Sequence, residues 1–254
     1  MHIEKKRIMP TECIRAMVTG YADYRDNDRM LTLFSPERGR LDCKARNCRK
    51  PTAPLLACAQ PFVYGEFELF ISNNRATVNS CEILETFYPL REDVDRFMIA
   101  SAATQLCNSV VEHESSDREL FSLLYHVLSF LAYTEADPKD LLIAFMTHYI
   151  DHAGYRPSLT SCTVCRRDIR NDPILFFSED AGGVVCAGCA HGAKPVSKLA
   201  LEAMRRILLL PHEELVRIVL KEDLRRELSV ILRNCCARML NENDRAIVLL
   251  DQIL

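Results

Sequence analysis

The chain has 254 residues, 48% hydrophobic and 26% charged, the make-up of a soluble globular protein with room for one large core or two ordinary ones. Residues 1–80 carry 13 Lys and Arg against 9 Asp and Glu and the remainder 19 against 26, so a formal charge of −3 hides a basic N-terminal third and an acidic rest. "MHIEKKRIMPTECIRAM" lacks the apolar core of a secretory signal, and no uncharged stretch exceeds 15 residues, short of the ~18 a membrane span needs. No membrane partner is expected, and the expected location is the cytoplasm.

From Ile14 to about Thr86 the apolar residues alternate at period two between turn signals, predicting five strands: "IRAMVTGY", "RMLTLFS", "RGRLDCKAR", "VYGEFELFI" and "RATVNSCEIL". "DYRDNDR", "SPERG" and "SNN" supply turns, and "NCRKPTAPLLACAQP" is a longer connection with space for a short helix. Five strands in ~75 residues, with the longest excursion between the third and fourth, fit an OB-fold barrel. The expected fold class is α+β and multidomain: an OB-fold domain over 1–86 and a helical domain over 87–254, with a hairpin inserted at 160–191.

The third strand is unusual in charge. Arg38, Arg40, Lys44 and Arg46 fall on even positions while Leu41, Cys43 and Ala45 fall on odd ones, which puts four cations on one face. With Arg49 and Lys50, residues 38–50 hold six basic side chains and one acidic, and phosphate is their natural partner. Tyr21, Tyr24 and Phe34 on neighbouring strand ends offer base-stacking faces. The competing reading is a solvated charged strand that protects a sheet edge.

After Pro89 the period becomes helical. One helix lies within "REDVDRFMIASAATQLCNSVVEH"; another, in "SDRELFSLLYHVLSFLAY", opens with a capping box from Ser116 to Glu119. "DPKDLLIAFMTHYIDHAG" has Asp137 as cap, Pro138 at the first helical position and Gly154 as stop. "SKLALEAMRRILLL", "HEELVRIVLKEDLRRELSVILRNCCARML" and "RAIVLLDQIL" are further helices.

Between these helices lies "SCTVCRRDIRNDPILFFSEDAGGVVCAGCA". Cys162, Cys165, Cys186 and Cys189 form two Cys-x-x-Cys turns 20 residues apart, the spacing of a four-sulfur zinc site, with "ILFFS" and "VVC" as a hairpin joining them. Four sulfur ligands leave no open position for water, so one structural Zn2+ per chain is expected. Arg166, Arg167 and Arg170 can offset its charge. Paired redox motifs, or coincidence among 12 cysteines, are the alternatives. The other eight cysteines read as free thiols. His148 and His152 share a helix face, but Tyr149 stands where a metalloprotease has its Glu. GxxxxGK[ST], GxSxG and HExxH are all absent from the sequence, and no enzyme activity is expected.

Taken in order, "RMLTLFSPERGRLDCKARNCRK", "ACAQPF", "LFSLLYHVLSFL" and the "GYRPSLTSCTVC…FFSEDAGGVVCAGC" block resemble the bacterial recombination mediators of the RecO family, over almost the whole chain. That resemblance implies an N-terminal OB-fold, a helical domain and a zinc site. It also implies binding of single- and double-stranded DNA at the bacterial nucleoid, annealing, and loading of RecA on strands covered by the single-strand-binding protein SSB, together with RecR. The family usually has Ala-Lys-Gly at the end of strand three; here "CKARNC" puts Ala45 at the Gly position. A zinc-stabilised scaffold that binds only protein, or a thiol-redox protein, is the alternative function.

Overall fold

A computed structural model of the chain describes residues 11–72 and 75–254, so the tip of the "SNN" turn lies outside the described residues. Contacts divide the chain into two compact units, one of residues 1–87 with 111–121 and one of 88–110 with 122–254.

The first unit is a closed five-stranded barrel of β1 (Thr11–Tyr24), β2 (Asp28–Ser35), β3 (Gly39–Ala45), β4 (Tyr64–Ser72) and β5 (Arg75–Glu85), in the order β1-β2-β3-β5-β4. Its long first strand serves both sides: Thr11–Met17 pairs with β4 and Met17–Tyr24 with β2, with a register shift between Val18 and Gly20 where the strand bends. Closure comes from three parallel pairs, Cys43–Ala76, Lys44–Thr77 and Ala45–Val78. The alternation read from sequence holds in β3, where Leu41, Cys43 and Ala45 point inward to Leu31, Leu33, Phe67 and Leu69. The connection from β3 to β4 contains no helix; it is a run of turns that buries Cys48, Cys58 and Ala59 in the same core.

Residues 111–121 pack on this barrel. The Arg40 amide donates to the Glu112 carbonyl at 3.1 Å, and the Asp117 amide donates to that of Pro36 at 3.1 Å. Gly39 permits the approach: it has φ +62°, and a Cβ there would stand 2.2 Å from the Ser115 carbonyl oxygen.

The second unit contains α1 (Val94–Val110), α2 (Arg118–Tyr133, whose first turn belongs to the barrel unit), α3 (Pro138–His152), α4 (Lys198–Leu209), α5 (Glu222–Leu240) and α6 (Arg245–Ile253). The capping box expected at Ser116 is not formed. Asp117 caps α2 by accepting from the Leu120 amide at 3.1 Å, because the Ser116 hydroxyl is turned to the Pro36 carbonyl at 2.9 Å. α3 is capped by Asp137, which accepts from the Lys139 amide, and Gly154 follows it at φ +82°.

α3 is the central helix of its unit, with Leu141 to Met146, Tyr149 and Ile150 buried; the Tyr149 hydroxyl donates to the Leu106 carbonyl at 3.0 Å. Asp140 is buried too, at 1% exposure. It accepts from Arg225 Nε at 2.7 Å and from the Leu220 amide at 2.9 Å. That second bond explains why the single helix expected over 212–240 is broken. A 3-10 turn at His212–Arg217 ends at Ile218, and the chain runs extended into α5 so that Leu220 can reach Asp140.

Candidate metal centre and nucleic-acid interface

The cysteine segment forms a small sheet of β6 (Leu175–Ser178), β7 (Gly183–Cys186) and β8 (Lys194–Val196), in the order β7-β6-β8. The first two strands match the sequence expectation; β8, carrying Pro195 in three residues, gave no period to read. Gly183 is required in the turn. It has φ +144°, and a Cβ would lie 2.4 Å from the Ser158 carbonyl oxygen, on the lead-in strand that the hairpin holds against the first Cys-x-x-Cys turn.

The four Sγ atoms of Cys162, Cys165, Cys186 and Cys189 lie within 4.8 Å of one another, and Cys165 and Cys186 are 3.8 Å apart. A tetrahedron with metal–sulfur bonds of ~2.3 Å has edges of about 3.8 Å, so the donor set fits a tetrathiolate metal. Its surroundings favour thiolate at Cys162 and Cys186, whereas the neighbouring sulfurs push Cys189 up to about 12. Burial opposes ionisation of Cys162, but the amides of Cys165, Cys186 and Val164 outweigh it and bring this thiol down to about 6. Cys186 is held low first by Arg167, whose guanidinium also pairs with Asp172 at 2.6 Å. Of the three arginines expected to balance the charge, Arg167 therefore does so, while Arg170 is engaged by Asp168 and Arg166 forms the turn at φ +64°. The cluster can hold a metal ion.

On the barrel, the basic residues separate into two groups. Arg38 pairs with Glu12, and with Glu114 at 3.5 Å; Arg40 lies 3.5 Å from Asp42. These cations sit beside the returning segment 111–121 and help hold it. Lys44 is paired with Asp28 at 2.8 Å, which holds the Asp28 carboxyl below its ordinary range. Arg49 reaches Asp23 at 3.3 Å and the Asp26 carbonyl at 3.2 Å. Arg46 and Lys50 are exposed and have no ion-pair partner among the described residues, and the same holds for Arg25 in the β1–β2 turn. Arg25 was not legible as part of the site, because the register of β1 on β2 brings it to the end of β3. The two loops there are pinned to each other: the Asn47 amide donates to Asp28 at 2.8 Å and the Arg49 amide to the Asn27 carbonyl at 3.1 Å.

The three aromatic candidates do not form one surface. Phe34 is 1% exposed and packs edge-on against Phe121 at 5.4 Å, so it is a core residue and cannot stack a base. Tyr21 and Tyr24 are exposed, at 47% and 40%, but an odd separation along one strand places them on opposite faces. Tyr21 lies under Arg29 at 4.1 Å, a cation tied to Asp23 and to the Ala59 carbonyl. Tyr24 shares its face with Lys44, 5.0 Å from the ring, and with Arg25 at 5.2 Å.

Among the described residues no helix is long and apolar enough to cross a membrane. An OB-like barrel followed by a helical unit with a four-cysteine cluster able to hold a metal ion matches, in order, two family models. "Recombination protein O N terminal" covers residues 9–87 and "Recombination protein O C terminal" residues 91–246, which defines a DNA repair and recombination protein. Similar chains include three named DNA repair protein RecO. That of Pelotomaculum thermopropionicum is 32% identical over 93% of this chain and 92% of its own. That of Desulfitobacterium hafniense strain DCB-2 is 32% identical over 91% and 86%, and that of Alkaliphilus metalliredigens 32% over 83% and 86%. The chain belongs to the RecO family of DNA repair proteins.

Proposed function

We propose that this chain is a non-catalytic recombination mediator. It binds single- and double-stranded DNA on its barrel and anneals complementary strands. It helps load RecA on SSB-coated DNA together with RecR, in the bacterial cytoplasm at the nucleoid. The supporting observation is the cationic end of the barrel, where Arg25 stands over Tyr24 and Arg46 and Lys50 lie on the loop pinned beside the β1–β2 turn, all three exposed and without an ion pair among the described residues. Cations not already neutralised within the fold are the ones that can release counterions from phosphate. Lys44 and Arg49 support that end, while Arg38 and Arg40 extend the positive face toward the returning segment.

The metal is one structural Zn2+ per chain, held by Cys162, Cys165, Cys186 and Cys189; zinc is the usual ion of closed four-cysteine structural sites, where it gives folding energy rather than chemistry. Cys43 and Cys235 do not fit a thiol-redox role, since burial pushes each up to about 12, far from a reactive thiolate. The deciding experiment is an oligonucleotide binding and annealing assay without nucleotide or added metal. The mediator anneals under those conditions; a protein-only scaffold leaves the strands apart.

A further inference from the structure

We infer that Tyr24 is the stacking platform of a single-strand-selective subsite, one that takes an unpaired nucleobase on its ring and the adjoining phosphates on Arg25, Arg46 and Lys50. The inference deepens the DNA-binding reading and rests on it.

Three observations place the subsite. First, Tyr24 is the exposed ring on the face that carries Lys44, whereas Tyr21 lies on the other face and Phe34 in the core. Second, the ring is held ready. Lys44 is anchored by Asp28 at 2.8 Å and lies 5.0 Å from the ring, and Asp28 also accepts the Asn47 amide, so ring, lysine and the loop after β3 share one anchor. Third, the other cation at the ring, Arg25, is exposed and forms no ion pair among the described residues, its pull on the Asp28 carboxyl being weaker than that of Lys44, so it can leave.

An exposed cation–π contact contributes about a factor of five in an equilibrium at most. Stacking of a base on an aromatic side chain contributes about 5- to 150-fold. A base therefore displaces Arg25 from the ring, and the freed guanidinium joins Arg46 and Lys50 along the backbone of the strand. A paired base cannot do this without leaving its own stack, so the subsite discriminates single strands from duplex, while Arg46 and Lys50, which meet only phosphate, do not.

The test compares wild type, Tyr24→Ala, Tyr24→Phe and the double variant Arg46→Gln/Lys50→Gln in fluorescence anisotropy titrations with a single-stranded oligonucleotide and with its duplex. Tyr24→Ala is expected to weaken single-strand binding on the order of 5-fold, the stacking gain less the Arg25 contact it displaces, with unchanged duplex affinity and an unchanged salt slope. Tyr24→Phe is expected to stay within about 2-fold of wild type, since the π face is retained. The double variant should weaken both substrates and flatten both salt slopes. An oligonucleotide carrying 2-aminopurine reads stacking directly, with quenching by wild type and by Tyr24→Phe and none by Tyr24→Ala. Equal losses on both substrates, or an unchanged single-strand affinity in a Tyr24→Ala protein with wild-type melting, overturn the subsite and leave barrel binding standing. Wild-type protein that binds neither oligonucleotide overturns both readings.

Discussion

The two groups of barrel cations can be told apart by how salt acts on them. One variant replaces Arg25, Arg46 and Lys50 by Gln; a second replaces Arg38 and Arg40. In the first, no ion pair is broken among the described residues and the Asp28 carboxyl loses only its weak attraction to Arg25, so stability should move by no more than about 0.5 kcal/mol. If each side chain meets one phosphate, the three together contribute about 2 to the slope of log affinity against log salt for a single strand, at ~0.7 per contact. The advantage of wild type over this variant should then shrink roughly 20-fold between 50 and 200 mM salt. In the second variant Glu12, Glu114 and Asp42 lose their arginine partners, although Asp42 keeps the Thr32 hydroxyl, and the hold on segment 111–121 is weakened. These pairs are about one-third exposed on the arginine side, so the cost is at most about 1 kcal/mol each after solvent screening, visible in urea unfolding, with a smaller change in salt slope. The assay is a set of anisotropy titrations at four salt concentrations beside equilibrium unfolding. If the Arg38/Arg40 variant flattens the slope and the Arg25/Arg46/Lys50 variant does not, phosphate binds along the body of β3 and the assignment to its end is wrong.

Other expectations concern the metal and the supporting ion pairs. Purified protein should hold about one zinc per chain by atomic absorption, and Cys162→Ser with Cys186→Ser should release it and lower the melting temperature; metal-free protein with the same melting curve would contradict a structural site. Arg225→Met should cost ~3–5 kcal/mol in urea unfolding, because Asp140 stays behind at 1% exposure with its charge uncompensated. A cost below ~1 kcal/mol would mean that the Leu220 amide alone satisfies it. The Asp28 carboxyl, held low by Lys44, should titrate by NMR below the usual carboxylate range and move back up in Lys44→Met. Its folded pKa lies below the unfolded one, so its contribution to stability is present above the unfolded pKa and is lost as pH falls through the folded value. A midpoint indifferent to Lys44 would remove that anchor from the Tyr24 subsite.

Much of this architecture is written locally in the chain. Period-two alternation in β3 needs no partner strand to be recognised, because each side chain's face follows from its neighbours, and the barrel keeps Leu41, Cys43 and Ala45 inside. The cysteine knot is legible for the same reason: two Cys-x-x-Cys turns and the glycines between them carry the geometry of the site in their spacing. Asp137, Pro138 and Gly154 likewise mark the ends of α3 by purely local chemistry.

What depended on tertiary structure is every property set by a distant partner. Which cations remain available was decided by Glu12, Glu114, Asp42 and Asp28, brought to them by strand register and by the return of 111–121 to the barrel. Phe34 became core because Phe121 packs on it, Ser116 gave up its cap to reach Pro36, and the helix expected over 212–240 opened to let Leu220 meet a buried carboxylate 80 positions away. Local patterns determine faces, turns and chelating spacings because those are set within a few residues. Burial and charge pairing are settled by the whole fold, since only it decides which groups lose water and which partners then satisfy them.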